Sequence, residues 1–152
     1  MSGRLLALDV GDRRIGLAVS DPLALFARPL KTLQRSDEAA DVAEIMAVVR
    51  DEAVTHVVVG HPLLPSGDRG EQALAVESFM DRLAPALAVA GVGWSYWDES
   101  YTTLTAQERR RERAARPRTS DPGLDAEAAA VILEEWLRAG GLDAAAVSQA
   151  DG

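Results

Sequence analysis

Apolar and polar positions follow two different periods along this chain, and the places where one gives way to the other outline its elements. Residues 4–10 (RLLALDV) and 15–21 (IGLAVSD) are short apolar runs separated by GDRR, which predicts two strands joined by a tight turn. Residues 27–33 (ARPLKTL) predict a third strand, with Pro29 keeping it near an edge or a strand start. The period then lengthens. Ser36 stands before an acidic first turn, Asp37 and Glu38, and Val42, Ile45, Met46 and Val49 recur at helical spacing, predicting an amphipathic helix over residues 37–52. THVVVG, residues 55–60, is a β-branched run that reads as a buried strand, and the prolines and glycines of HPLLPSGDRG place a loop after it.

Residues 71–90 place Leu74, Phe79, Leu83 and Leu87 on a helical repeat, with Pro85 as a kink position and Gly91 as the close. VGWSYW, residues 92–97, alternates like a strand and ends in Asp98 and Glu99. A helix is predicted to begin within TTLTAQERRRER, where Thr105 and Glu108 have capping-box spacing. Asp121 and Pro122 read as the cap and first residue of a last helix that Gly140 and Gly141 end. The order is β-β-β-α-β-α-β-α-α, an opening meander that gives way to alternating strands and helices, and so an α/β arrangement. A chain of 152 residues with 47% hydrophobic content suits one domain, expected over residues 1–140 with a flexible tail at 141–152.

Composition narrows the chemistry. No apolar run approaches the roughly 18 residues of a spanning helix, and Asp9 interrupts the first apolar stretch too early for a signal-peptide core, so the expectation is a cytoplasmic protein with no membrane partner. The absence of cysteine excludes disulfides, zinc-thiolate sites and thiol nucleophiles. With two histidines, oxygen ligands are the expected metal chemistry. The net charge of -8 argues against general attraction to nucleic acid, but its distribution changes the picture. Residues 109–118 hold six arginines, Arg109, Arg110, Arg111, Arg113, Arg116 and Arg118, against Glu112, so that segment carries +5 and the remainder -13. Such a segment is either a solvated face or a local phosphate-binding patch on an acidic protein.

Three carboxylates stand out. Asp9 shares a strand face with Leu5 and Ala7, so its carboxylate leaves the sheet among apolar neighbours. It is either a cap for the Gly11 turn or part of a polar site. Glu99 lies just past the end of the strand that begins at Val92, where open α/β sheets place their active residues, although an acid favoured by the following helix dipole occupies the same position. Asp125 heads a buried stripe, with Ala129, Ile132, Leu133 and Trp136 at i+4, i+7, i+8 and i+11. If Asp121 caps that helix, Asp125 sits a full turn inside it, which weakens a capping explanation. Three converging acids repel one another unless a hard divalent cation joins them.

Four stretches resemble the YqgF/RuvX family: ALDVGDRRIGLAVSDP, VVVGHPLLPSG, DESYTTLTA and LDAEAAAVILEEWL, which together cover most of residues 4–138. The resemblance implies a ribonuclease H-like fold, a mixed five-stranded sheet flanked by helices. The family's acids fall on Asp9, Glu99 and Asp125, as catalytic residues and ligands of Mg²⁺ or Mn²⁺. It implies hydrolysis of phosphodiester bonds, in maturation of the 5′ end of precursor 16S ribosomal RNA or in resolution of Holliday junctions in DNA recombination. Precursor RNA is the favoured substrate on family grounds.

A resolvase, which cuts opposing strands, would be a symmetric homodimer, whereas an RNA-trimming enzyme could act as a monomer. Gly11, Arg13, Arg14, Thr102, Thr103, Arg109, Arg110, Arg113, Arg116 and Arg118 are the expected nucleic-acid contacts, while Tyr96, Trp97 and Tyr101 are available for base stacking or a dimer contact. Three positions depart from the pattern: His61 for a Leu, Ser100 for the Arg after the Glu, and Thr105 for a Glu. His61 is read as a loop substitution without a catalytic role. An ATP-handling protein is the second class considered, because DVGDRRIG resembles the phosphate loop of the actin and sugar-kinase superfamily, but those proteins need two such lobes. A non-catalytic nucleic-acid-binding protein is the third, and it leaves the triad without a purpose.

Overall fold

The structure, a computed structural model, describes residues 3–98 and 123–141. Its elements are β1 (Arg4–Val10), β2 (Arg14–Ser20), β3 (Ala27–Gln34), α1 (Glu38–Asp51), β4 (Val54–His61), α2 (Glu71–Val89), β5 (Gly93–Asp98) and α3 (Gly123–Arg138). All five expected strands form, within a residue or two of their sequence boundaries. The expected helix around Thr105 and Glu108, the Asp121–Pro122 cap and the tail from residue 142 lie outside the described residues.

The strands join in one sheet of order β3-β2-β1-β4-β5. The meander β1–β2–β3 is antiparallel, and β4 and β5 add to the other side of β1 in parallel. The sheet is therefore mixed, as expected. One consequence governs the site: β1, β4 and β5 run the same way, so Asp9, His61 and Asp98 all stand at one edge, the carboxyl ends of the parallel strands.

Alternation along the strands divides the core into two layers. Leu6, Leu8, Ile15, Leu17, Val57 and Val59 pack with Ile45 and Val49 of α1 and Phe79, Leu83 and Leu87 of α2. Leu5, Ala7, Ala18 and Val58 turn the other way and meet Ala129, Ile132, Leu133 and Trp136 of α3. Helices thus cover both faces, and the stripe read from the last helix is buried residue for residue.

Three local expectations are corrected. The cap of α1 is Asp37, whose carboxylate accepts from the Ala40 amide; Ser36 lies one residue further out and donates its own amide to Asp41. Leu74 is 48% exposed, because α2 buries Ala73, Val76, Phe79, Met80, Leu83 and Leu87 instead. Asp125 lies in the first turn of α3, which begins at Gly123, and not a full turn inside. Its side chain is nonetheless held by an arginine of the neighbouring sheet, Arg14.

Candidate active site at the carboxyl edge of the sheet

Asp9 continues the face of Leu5 and Ala7, the side on which α3 lies, and is half-buried. Its partner across the β1–β2 ladder is Gly16. A glycine inside a strand commonly marks the close approach of another backbone, and Gly16 fits that rule: a β-carbon there would collide with the backbone carbonyl of Asp125 and stand 2.9 Å from the Ala126 nitrogen. The first turn of α3 therefore rests directly on the Asp9–Gly16 rung.

Two residues along β2, Arg14 places its Nε 3.0 Å from Oδ2 of Asp125. The Arg14 carbonyl accepts from the Gly11 amide at 2.9 Å, closing the β1–β2 turn. The Asp125 backbone thus lies at Gly16 while its carboxylate is held by the Arg14 side chain. The backbone of Asp125 and the strand residue Asp9, far apart in sequence, both adjoin Gly16, because a missing side chain lets a helix sit on a strand. Glu99, Thr102, Thr103 and the arginines from 109 to 118 lie outside the described residues. Among those described, no group of three or more acidic or histidine side chains forms a metal cage.

His61 shares this edge but belongs to the opposite face. Its Nε2 lies 2.9 Å from Oε2 of Glu77 on α2, and its ring stacks on Tyr96 with centroids 4.3 Å apart. Arg69 reaches the other oxygen of Glu77 at 3.1 Å, so one carboxylate ties both ends of the loop after β4. The Tyr96 hydroxyl is pushed up from its ordinary pKa by burial, with Glu77 and Asp81 adding to the shift. These contacts give His61 a structural occupation on the α2 side. Tyr96 packs with Trp94 against the α2 core, whereas Trp97 packs beneath α3, where its ring meets Trp136 edge-on at 6.4 Å.

The α3 seat has its own buried base. Trp136 stacks on His56 at 5.5 Å, and Nε2 of His56 lies 2.9 Å from the Ser95 hydroxyl. Burial pushes the pKa of His56 down. Sequence reasoning passes over both His56 and Gly16; for Gly16 the signal is present, a glycine interrupting an apolar strand.

The family model described as "RuvX: Holliday junction resolvase" matches residues 3–139. The chain belongs to the RuvX family. A RuvX relative from Roseiflexus sp. (strain RS-1), named "Putative pre-16S rRNA nuclease", is 38% identical over 135 residues, covering 89% of this chain and 94% of that protein. A protein of the same name from Anaeromyxobacter dehalogenans (strain 2CP-C) is 43% identical over 134 residues, covering 88% and 96%. Among solved structures, T. thermophilus RuvC in complex with Holliday junction substrate superposes with a TM-score of 0.59 at 18% identity, covering 91% of this chain and 97% of that one. This likeness shows that the RuvX chain has the ribonuclease H-like fold of RuvC. Among the described residues no helix is long and apolar enough to cross a membrane.

Proposed function

We propose that this RuvX protein is a metal-dependent nuclease that hydrolyses phosphodiester bonds in precursor 16S ribosomal RNA, and that Asp9, Glu99 and Asp125 are its catalytic carboxylates. One observation carries the reading: Gly16 seats Asp125 on the rung occupied by Asp9, at the carboxyl edge of the sheet. The relatives' names supply the substrate class.

The donor chemistry fits Mg²⁺ or Mn²⁺. Both described acids offer hard oxygen ligands, and Asp125 already accepts a cationic neighbour in Arg14. Asp9 and Asp125 would hold the ion together with Glu99, and when bound it supplies Lewis-acid activation of water and neutralises charge on the phosphate oxygens. The chain's own groups do the rest. Arg14 orients the Asp125 carboxylate, and the Gly11 turn offers a backbone that phosphate can approach closely. Arg13, exposed in that turn, and the basic stretch from 109 to 118 supply cations for the nucleic-acid backbone. On this reading the protein works in the cytoplasm, on RNA.

The family model's own description supports a second reading, a Holliday junction resolvase; cutting opposing strands, such an enzyme would act as a homodimer. One assay separates them: purified protein with Mn²⁺ is given a precursor 16S fragment and, separately, a four-way DNA junction. Cleavage of the RNA that disappears in Asp9→Asn is the expected result. Symmetric cutting of the junction alone would replace the RNA reading, and cleavage of either substrate that persists in Asp9→Asn would remove the site assignment.

A further inference from the structure

The side chain just beyond β3 forms a polar network that the proposed chemistry does not use. Arg35 directs Nη1 at the Gly11 carbonyl, 2.9 Å away, and its own amide donates to the Arg13 carbonyl at 2.8 Å. Its Nε donates to Oδ2 of Asp41 at 3.2 Å, while Oδ1 of Asp41 accepts from the Ser36 amide at 3.0 Å. The guanidinium lies over the Phe79 ring, 5.0 Å from its centroid. Asp41 is 2% exposed, and the Arg35 side chain 18%.

An ion pair this deep gives up much of its hydration, and apolar side chains of similar volume commonly hold a fold as well. A guanidinium does something they cannot: its rigid fork spans two acceptors at once. Here one acceptor is a buried carboxylate of α1 and the other is the turn between Asp9 and Arg14. Gly11, Asp12 and Arg13 are exposed, so the turn has no core packing to fix it. Arg35 grips it at two carbonyls. Asp9 lies two residues before the first of them and Arg14 one residue after the second, so both flank the gripped turn.

Resting on the site proposed for the divalent ion, we infer that Arg35 is a positioning residue: through the Gly11 carbonyl it holds the β1–β2 turn, and with it Asp9 and the Arg14–Asp125 pair, in the geometry that receives the ion. A catalytic constellation tolerates displacements of only about 0.5 Å, and outer contacts of this kind are typically worth roughly 10–100-fold in metal affinity. The test uses the full chain without nucleic acid, with Mn²⁺ binding followed by calorimetry and folding by thermal melts. Arg35→Lys keeps a cation for Asp41 and Phe79 and keeps the main-chain bond to Arg13, but it loses the rigid fork whose two separate nitrogens reach Asp41 and Gly11. It is expected to melt close to wild type and to bind Mn²⁺ about tenfold more weakly. Ile45→Val, which loosens α1 without touching the turn, is expected to lower the melting temperature and leave Mn²⁺ affinity alone. Wild-type Mn²⁺ affinity in Arg35→Lys, or an equal loss in Ile45→Val, would overturn the inference. Wild-type protein whose Mn²⁺ binding is absent, or unchanged by Asp9→Asn, would overturn the metal site itself and the role of Arg35 with it.

Discussion

Arg14 and Asp125 meet between β2 and α3, Nε to Oδ2 at 3.0 Å, with both side chains less than one fifth exposed. A guanidinium committed in this way is an orienting group before it is a phosphate contact. Arg14→Gln is therefore expected to lower kcat by roughly 10–100-fold while the salt dependence of RNA binding stays as in wild type. Should the slope of log affinity against log salt fall by about one instead, Arg14 belongs to the nucleic-acid backbone.

Asp125→Asn keeps the shape of the side chain and removes its charge. Metal bound to the folded state at about 100 times its Kd adds roughly 2.7 kcal/mol to stability. Wild-type protein is expected to show this gain with Mn²⁺ in denaturant titrations, and Asp125→Asn to lose it together with at least about 100-fold of cleavage, the upper end of what outer-sphere changes cost. Full Mn²⁺ stabilisation in the variant would take Asp125 out of the ligand set.

Gly16→Ala tests the seat of the helix. The new methyl group would run into backbone, which cannot rotate aside as a side chain does. α3 has to shift or the strand has to bend, a typical overpacking cost of about 1–3 kcal/mol. Because Asp125 moves with α3, cleavage is expected to fall by more than the loss of stability accounts for at a temperature where the variant is fully folded. An unchanged urea midpoint would mean that the helix does not rest there.

His56 makes the α3 seat sensitive to acid. Burial lowers its folded-state pKa below the ordinary value of about 6.5, so the folded chain favours the neutral ring. The stability it contributes is fully present above that ordinary value and is lost as pH falls below it toward the folded-state pKa, by at most about 1.4 kcal/mol per pH unit. Melting temperatures from pH 8 to pH 5 are expected to decline below about 6.5 in wild type and less steeply in His56→Gln. Parallel curves would assign the decline to other groups.

The features legible in the chain are those set by local forces. Strand and helix periods depend on neighbours within a turn or a ladder, so β1 to β5, α1, α2 and the buried stripe of α3 could all be read, and the four motifs supplied the family and its fold. The buried-stripe argument that singles out Asp125 applies equally to Asp41, which precedes Ile45, Val48 and Val49 at i+4, i+7 and i+8 and is buried too. Sequence alone cannot separate the two, because both head amphipathic helices. Packing separates them: Asp41 turns to Arg35 on the α1 face, and Asp125 comes down on Gly16 beside Asp9. His61 shows the same limit, since its place at the edge is evident from the strand but its face is decided by Glu77 and Tyr96. The sequence by itself determined the elements, their order and the acidic residues offered to the site. Only the tertiary structure decided which helix acid rests on the Asp9–Gly16 rung and which arginine Asp41 and Asp125 each meet, because those contacts depend on how a helix and a strand, far apart in the chain, come to rest on one another.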